Sequence, residues 1–140
     1  MIDTQIQFDP STSSEELSYM LLEEARLRCK ALVEREHDLR DDPDSLTLSG
    51  LYGDLGIAGY YASARLEPGR RRQLLAQAHA RCQRGSEAEA ERQLAVVAAA
   101  ATRTVERALT VTGLLDHMHL AHIHVISACE TLDAMFALQT

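Results

Sequence analysis

The chain has 140 residues, of which 46% are hydrophobic and 25% are charged, and a formal net charge of −7. This length and composition are typical of one globular domain with a sizeable core, while the negative charge argues against a nucleic-acid-binding protein and against adhesion to anionic membranes. No apolar run approaches the roughly 20 residues that span a bilayer and no N-terminal signal is visible, so we expect a cytoplasmic protein.

The first predicted helix follows an N-terminal arm, residues 1–12, that shows no periodic pattern. Ser13 followed by Glu16 is a capping-box signature, which predicts a helix that runs to about Arg40. We expect Pro43 to mark the stop beyond it, because proline cannot continue a helix. Apolar residues at helical spacing form a core stripe and a second, weaker stripe on another side. The first stripe is Leu22, Ala25, Cys29, Leu32 and Leu39, and the second is Met20, Leu27 and Ala31.

Glycine occupies every third position in the next segment, Leu48 to Gly59. Leucines and alanines keep a helical spacing through it, but each glycine costs about 1 kcal/mol in a helix. We therefore expect a short, irregular helix held in place by crowded neighbours. The alternative is a hinge or close-approach surface at which Tyr52, Tyr60 and Tyr61 contact a partner.

A basic helix is predicted from the Pro-Gly pair at positions 68 and 69 to about Gln83. Arg70, Arg71 and Arg72 lie in its first turn, where the helix dipole already concentrates positive charge, so an acidic group should lie opposite. We favour an internal acidic partner. The alternative is an anion-binding site in which Gly69 and the three arginines hold a phosphate or carboxylate. The internal candidates are Glu34, Glu36, Asp38 and the acidic run from Asp41 to Asp44.

Two long helices are predicted in the last third of the chain, separated at Gly113 because weak helix formers precede this glycine. The first opens with a second capping box at Ser86 and Glu89 and is apolar on every side from Leu94 to Ala101, so we expect other helices to surround it. The second helix has a core stripe and a separate apolar area on its far side. That area consists of Leu120, Ile123 and Ile126.

These elements predict an all-α fold in a single domain that covers residues 1–140. We expect an antiparallel helical bundle of about four to five helices, in which the last two long helices form the central hairpin. No run shows strand alternation bounded by turn signals, and no internal repeat is visible.

Four of the six histidines lie close together, at positions 117, 119, 122 and 124. Only His119 and His122 have the three-residue spacing that brings side chains together on a helix. Because zinc needs three or four ligands, the others would have to come from different helices. We therefore interpret the histidines as the edges of a packed helix and keep His119 and His122 as the candidate metal-binding pair.

The three cysteines, Cys29, Cys82 and Cys129, lie on separate predicted helices without metal-binding spacing. We expect reduced thiols that serve packing. No GxSxG, HExxH or Cys-His signature singles out a catalytic residue, and no motif indicates a cofactor.

The sequence favours a non-catalytic protein-interaction module, such as an adaptor, a regulator or a chaperone-like partner. We expect a homodimer, because five helices do not cover both the apolar area of the last helix and the all-round apolar segment from Leu94 to Ala101. The expected contact residues are Leu120, Ile123, Ile126, Tyr60 and Tyr61. The alternative is a helical-bundle sensor that binds a metal or an anion. No motif identifies the protein partner.

Overall fold

The computed structural model describes residues 12–35, 43–83, 90–112 and 116–139. Those residues form five α-helices and contain no strand, which confirms the all-α prediction. The helices are α1 (Ser14–Arg35), α2 (Pro43–Ala62), α3 (Pro68–Cys82), α4 (Ala90–Thr112) and α5 (Asp116–Gln139). The predicted arm up to residue 11 and the second capping box lie outside the described residues.

Helices α1 and α2 run antiparallel. The Arg26 guanidinium donates a hydrogen bond of 2.9 Å to the Tyr52 hydroxyl, and the Cys29 thiol lies 3.6 Å from the Leu48 carbonyl oxygen. A later residue of α1 thus contacts an earlier residue of α2.

Helices α4 and α5 are also antiparallel, since Thr102 contacts Cys129 at 3.2 Å while Glu106, further along α4, contacts His122 at 3.4 Å. The predicted break between the last two helices is therefore confirmed.

Four helices enclose the main core in the ring order α1, α2, α5, α4. The most extensive packing joins α1 to α4 and α2 to α5. The antiparallel bundle is as predicted, and α4 and α5 form the expected hairpin. Helix α1, however, packs against α2, α3 and α4, so it contacts more helices than either member of the hairpin does.

The core stripes follow the predicted periodicity. In α1, Leu22, Ala25, Cys29 and Leu32 are buried, whereas Leu39 lies outside the described residues. The buried residues of α5 are Met118, Ala121, Val125, Ala128 and Leu132.

Helix α3 lies outside this ring and runs parallel to α1, carrying the chain from the end of α2 towards the start of α4. Its Leu74 and Ala78 bury Met20, and Leu27 packs beside them, so the second stripe of α1 is accounted for. Ala31, the third predicted member of that stripe, is instead exposed.

A buried carboxylate joins α3 to α1. The side chain of Glu24 is 0% exposed, with its Oε2 atom 3.0 Å from the Arg28 guanidinium and its Oε1 atom bonded to Arg81 of α3. Burying a carboxylate is unfavourable unless positive partners compensate it. Two arginines supply that compensation here, and nothing in the helical pattern of the sequence indicated this cluster.

Two predictions about helix ends have different outcomes. The first capping box is confirmed, because Ser13 N–H donates to Glu16 Oε1 at 3.0 Å and Glu16 N–H donates to Ser13 Oγ at 3.1 Å. Pro43, which was expected to mark the stop after the first helix, is the first residue of α2. Proline suits this position, because the first helical N–H has no partner within the helix and the ring fixes a helical φ angle.

The five helices of one chain do not surround residues 94–101 on every side. Val96 is 40% exposed, whereas Leu94, Val97, Ala98 and Ala101 are buried. Helix α4 therefore buries one face only. Because most residues of this run are alanines, its outer side exposes little apolar area, and the exposure carries a small energetic penalty.

The expectation of a short, irregular helix at the glycine-rich segment is wrong, since α2 is a continuous helix of 20 residues through all four glycines. Leu51 and Leu55 are fully buried and hold it in the bundle. An added Cβ atom would meet nothing within 4 Å at Gly50, but at Gly59 it would lie 3.1 Å from Glu23 Oε1. Of these two positions, only Gly59 therefore has a neighbour close enough to disfavour a side chain.

This difference predicts unequal effects for two alanine substitutions. Gly50→Ala should stabilise the fold by up to about 1 kcal/mol, because alanine has less freedom to lose in the unfolded chain. Gly59→Ala should lack that gain or destabilise the fold, because the new methyl group displaces a carboxylate that Arg26 holds. Urea unfolding of the two variants measures both effects, and an equal gain at the two positions would contradict the close approach at Gly59.

Candidate contact surface on α2 and α5

Exposed apolar side chains are concentrated on one side of the bundle. The large hydrophobic residues that the described part of the chain exposes are Ile57 (42%), Tyr60 (73%), Val96 (40%), Leu120 (38%) and Ile123 (60%). All except Val96 belong to α2 and α5, which pack side by side. The Tyr61 ring is stacked on the His124 ring with 6.2 Å between centroids, so the last turn of α2 lies beside the N-terminal half of α5. We call Ile57, Tyr60, Leu120 and Ile123 the α2–α5 face.

The structure separates the contact residues that were predicted from the sequence. Tyr60, Leu120 and Ile123 are exposed, whereas Tyr61 and Ile126 are partly buried. Ile57 was not predicted, although it precedes Tyr60 by three residues, a spacing that places both on one side of a helix.

A shallow groove of about 690 Å³ crosses the outer side of α2. Gly53 and Gly56 form its floor, and an added Cβ atom at Gly53 would meet nothing within 4 Å. The groove exists because these two positions lack side chains between larger neighbours. Those neighbours are Arg26, Tyr52, Ile57, Tyr60, Tyr61 and His124.

Arg26 closes the groove on the α1 side. Its Nη2 atom lies 2.8 Å from Glu23 Oε2, and its guanidinium carbon is 5.7 Å from the centre of the Tyr52 ring. The hydrogen bonds to Glu23 raise the pKa of Arg26 above its ordinary value. Arg26 is therefore a fixed positive charge that Glu23 compensates within the chain.

His124 closes the groove on the α5 side. Its Nδ1 atom lies 3.1 Å from Asp54 Oδ1, and the Ser127 hydroxyl donates to Asp54 Oδ2 at 2.8 Å. A nucleophilic triad needs the serine hydroxyl on the second ring nitrogen of the histidine. Here the serine hydroxyl bonds the aspartate, so this cluster fixes the imidazole ring and joins α2 to α5 without activating a nucleophile.

The arginines at the start of α3 have an acidic neighbour in α1. Arg70 Nε lies 2.6 Å from Glu16 Oε2, and its Nη1 atom donates to Gln73 at 3.1 Å. The hydrogen bond from Arg70 is the largest cause that lowers the pKa of Glu16. This contact supplies the internal partner expected for Arg70, although Glu16 was not among the acids named from the sequence.

The remaining members of this predicted anion site have varied environments. Arg71 and Gly69 are partly buried, and Arg72 is exposed. Of the acids named as partners, Glu34 pairs with Lys30 at 3.9 Å. Asp44 belongs to α2 but its side chain is not among those described, and the others lie outside the described residues. Anion binding at this turn stays the less favoured alternative.

The histidines of α5 have separate surroundings. His119 is exposed, and His122 Nε2 lies 3.4 Å from Glu106. The Nε2 atom of His117 is buried and has no hydrogen-bond partner. Among the residues described, no group of three or more His, Cys, Asp or Glu side chains is arranged to hold a metal ion. Metal binding by His119 and His122 stays the less favoured alternative.

The cysteines are free thiols, in agreement with the expectation of packing residues. Burial raises the pKa of Cys29 to about 12 and also raises the pKa of Cys82 and of Cys129. Because the thiolate is the nucleophile, thiols with raised pKa values are poorly reactive at neutral pH.

Comparison of the chain with protein-family models, with curated proteins and with solved structures finds no match. Across the described ranges, none of the helices combines the length and apolar character that crossing a membrane requires.

Proposed function

We propose that this protein is a non-catalytic interaction module that binds another protein chain through the α2–α5 face and acts as a homo-oligomer. The observation that carries this proposal is the exposure of Ile57, Tyr60, Leu120 and Ile123 on two adjacent helices. Single exposed apolar residues are ordinary, but several on one side of a small domain are typical of a contact surface.

The chemistry of the face also supports this proposal. Tyrosine is enriched at the buried centres of protein interfaces, because its ring is large and has few rotatable bonds. Tyr60 is 73% exposed and its ring packs edge-on against Tyr61 with 5.5 Å between centroids, so its position is already restricted before binding. A restricted side chain loses less entropy on association.

The three free thiols support a cytoplasmic location within this proposal, because free cysteines are typical of a reducing compartment.

The test is the effect of Ile123→Glu on the mass in solution. Burying an isoleucine contributes about 1.5–3 kcal/mol, so its replacement should raise the dissociation constant at least tenfold, which corresponds to about 1.4 kcal/mol. Sedimentation velocity over a range of concentrations measures this constant. The matched control is Val96→Glu, which introduces the same charge at an exposed apolar residue of α4 and should leave the constant unchanged.

Two results would contradict the proposal. The first is a wild-type chain that remains monomeric at all concentrations, with Ile123→Glu identical to it in mass and melting temperature. The second is a loss of association in Val96→Glu that equals the loss in Ile123→Glu, because the contact would then not be specific to the α2–α5 face.

A further inference from the structure

We propose that α3 is a displaceable helix that covers a second docking site, on α1, and that the partner for this site is a basic amphipathic helix of another protein. The site lies on the outer side of α1, whereas the α2–α5 face lies on α2 and α5. This inference therefore stands apart from the proposed function. Three observations support it: the separate packing of α3, its charge and the weakness of its first turn.

Helix α3 is packed extensively against α1 alone among the described helices. Its two buried residues, Leu74 and Ala78, form a small apolar cluster with Met20 of α1, and none of the buried residues described in the main core belongs to α3. Glu24 also has a partner within α1, because Arg28 lies 3.0 Å away. Release of α3 would therefore leave the four-helix ring with its core intact and Glu24 with a positive partner.

The two helices have opposite charges where they meet. The first half of α1 has four glutamates and no basic residue, whereas α3 has four arginines and no acidic residue. Ion pairs join the helices at both ends of the small apolar cluster, Arg70 to Glu16 and Arg81 to Glu24. An apolar centre between acidic side chains fits a helix that carries apolar residues on one face and basic residues at both ends of that face.

Features of α3 itself weaken its hold on this site. It has 15 residues, a length at which an isolated helix is marginal. Arg70, Arg71 and Arg72 lie in its first turn, where the helix dipole disfavours positive charge, and the N-cap residue Glu67 makes no side-chain capping hydrogen bond. A longer helix with its arginines farther from the N-terminal end would make the same ion pairs without this cost, and would compete with α3.

Hydrogen exchange of the wild-type chain tests whether α3 opens alone. The most protected amides of α3 should exchange at least about tenfold faster than those of α1 and α5, because release of one helix requires less free energy than unfolding of the ring. Equal protection in α3 and the ring would contradict a displaceable helix, since α3 would then open only with the whole fold.

A synthetic peptide of the α3 sequence, residues 68–82, is the probe for the partner. In the full chain, Leu74→Asp places a charge in the small apolar cluster and should release α3. This variant should bind the peptide at least about tenfold more tightly than the wild type does, because the tethered α3 of the wild type competes at a high effective concentration. The matched control is Gln77→Asp, which places the same charge on an exposed position of α3 and should bind the peptide as weakly as the wild type.

Two further measurements locate the bound peptide. Arg70→Glu and Arg81→Glu together in the peptide should abolish binding, because each new carboxylate would face a glutamate of α1. Ile123→Glu, added to the Leu74→Asp chain, should leave peptide binding unchanged. If it removes binding, the peptide occupies the α2–α5 face and this inference fails while the proposed function stands.

Other results would also overturn the inference. An unfolded Leu74→Asp chain, measured by circular dichroism, would show that the ring needs α3. A folded Leu74→Asp chain that does not bind the peptide would show that the site accepts no helix from outside. Loss of self-association in Leu74→Asp would show that the site takes α3 of a second copy and not a helix of another protein.

Discussion

Replacing Glu24 with alanine should destabilise the fold by about 3–5 kcal/mol, because it leaves two arginines without the buried carboxylate that they share. Arg28 is only 12% exposed and cannot recover full hydration, whereas Arg81 is 29% exposed and can recover part of it. The loss is a large fraction of the roughly 5–15 kcal/mol that stabilises a typical domain. Denaturant unfolding followed by circular dichroism measures it.

Glu34→Ala is the control for this substitution. Glu34 also pairs with a residue four positions away in α1, but its side chain is 67% exposed and its distance to Lys30 is 3.9 Å. Exposed pairs of this kind contribute about 0–1 kcal/mol. A loss of stability in Glu24→Ala no larger than that in Glu34→Ala would show that the buried cluster does not hold α3 on α1.

Replacing Leu51 with alanine should destabilise the fold by about 2–5 kcal/mol, because its side chain is fully buried and the substitution leaves a cavity in the main core. The effect tests whether the glycine-rich helix α2 is a full member of the bundle. A short or irregular helix in its place would make this leucine far less important. The midpoint of urea unfolding gives the change in free energy.

The control is Val96→Ala, since Val96 is 40% exposed and surface substitutions usually change stability by about 0.5 kcal/mol or less. Similar unfolding midpoints for Leu51→Ala and Val96→Ala would contradict the position of α2 in the core.

Local features of the fold could be predicted from the sequence because they depend on residues close together in the chain. One example is the capping box, which the residue types at positions 13 and 16 indicate. Another is the core stripe of α5, which helical periodicity places. The reversal of the chain direction between α4 and α5 was also predicted from local sequence, because weak helix formers precede Gly113.

Contacts between distant residues were not predicted, because periodicity gives the faces of each helix and not its neighbours. The bond between Arg70 and Glu16 joins residues 54 positions apart. The parallel placement of α3 on α1, which produces this contact and buries Glu24, has no signature in either helix alone.

The glycines of α2 show why composition was misleading in one segment. Helix propensity favoured an irregular structure, but packing of Leu51 and Leu55 outweighs it. Two of these glycines, Gly53 and Gly56, form the floor of the groove between Arg26 and His124, a surface that exists only once α1, α2 and α5 have assembled. The candidate site could therefore be predicted only in part, through Tyr60, Leu120 and Ile123.

The most direct test of the central claim is hydroxyl-radical labelling of single residues as the protein concentration is raised. Tyr60 and Ile123 are the most exposed large apolar residues described, and Val96 is an exposed residue on α4. If the α2–α5 face binds a second chain, labelling of Tyr60 and Ile123 should fall as the complex forms, while labelling of Val96 stays constant. Unchanged labelling of Tyr60 and Ile123 at concentrations where the mass has doubled would contradict the account.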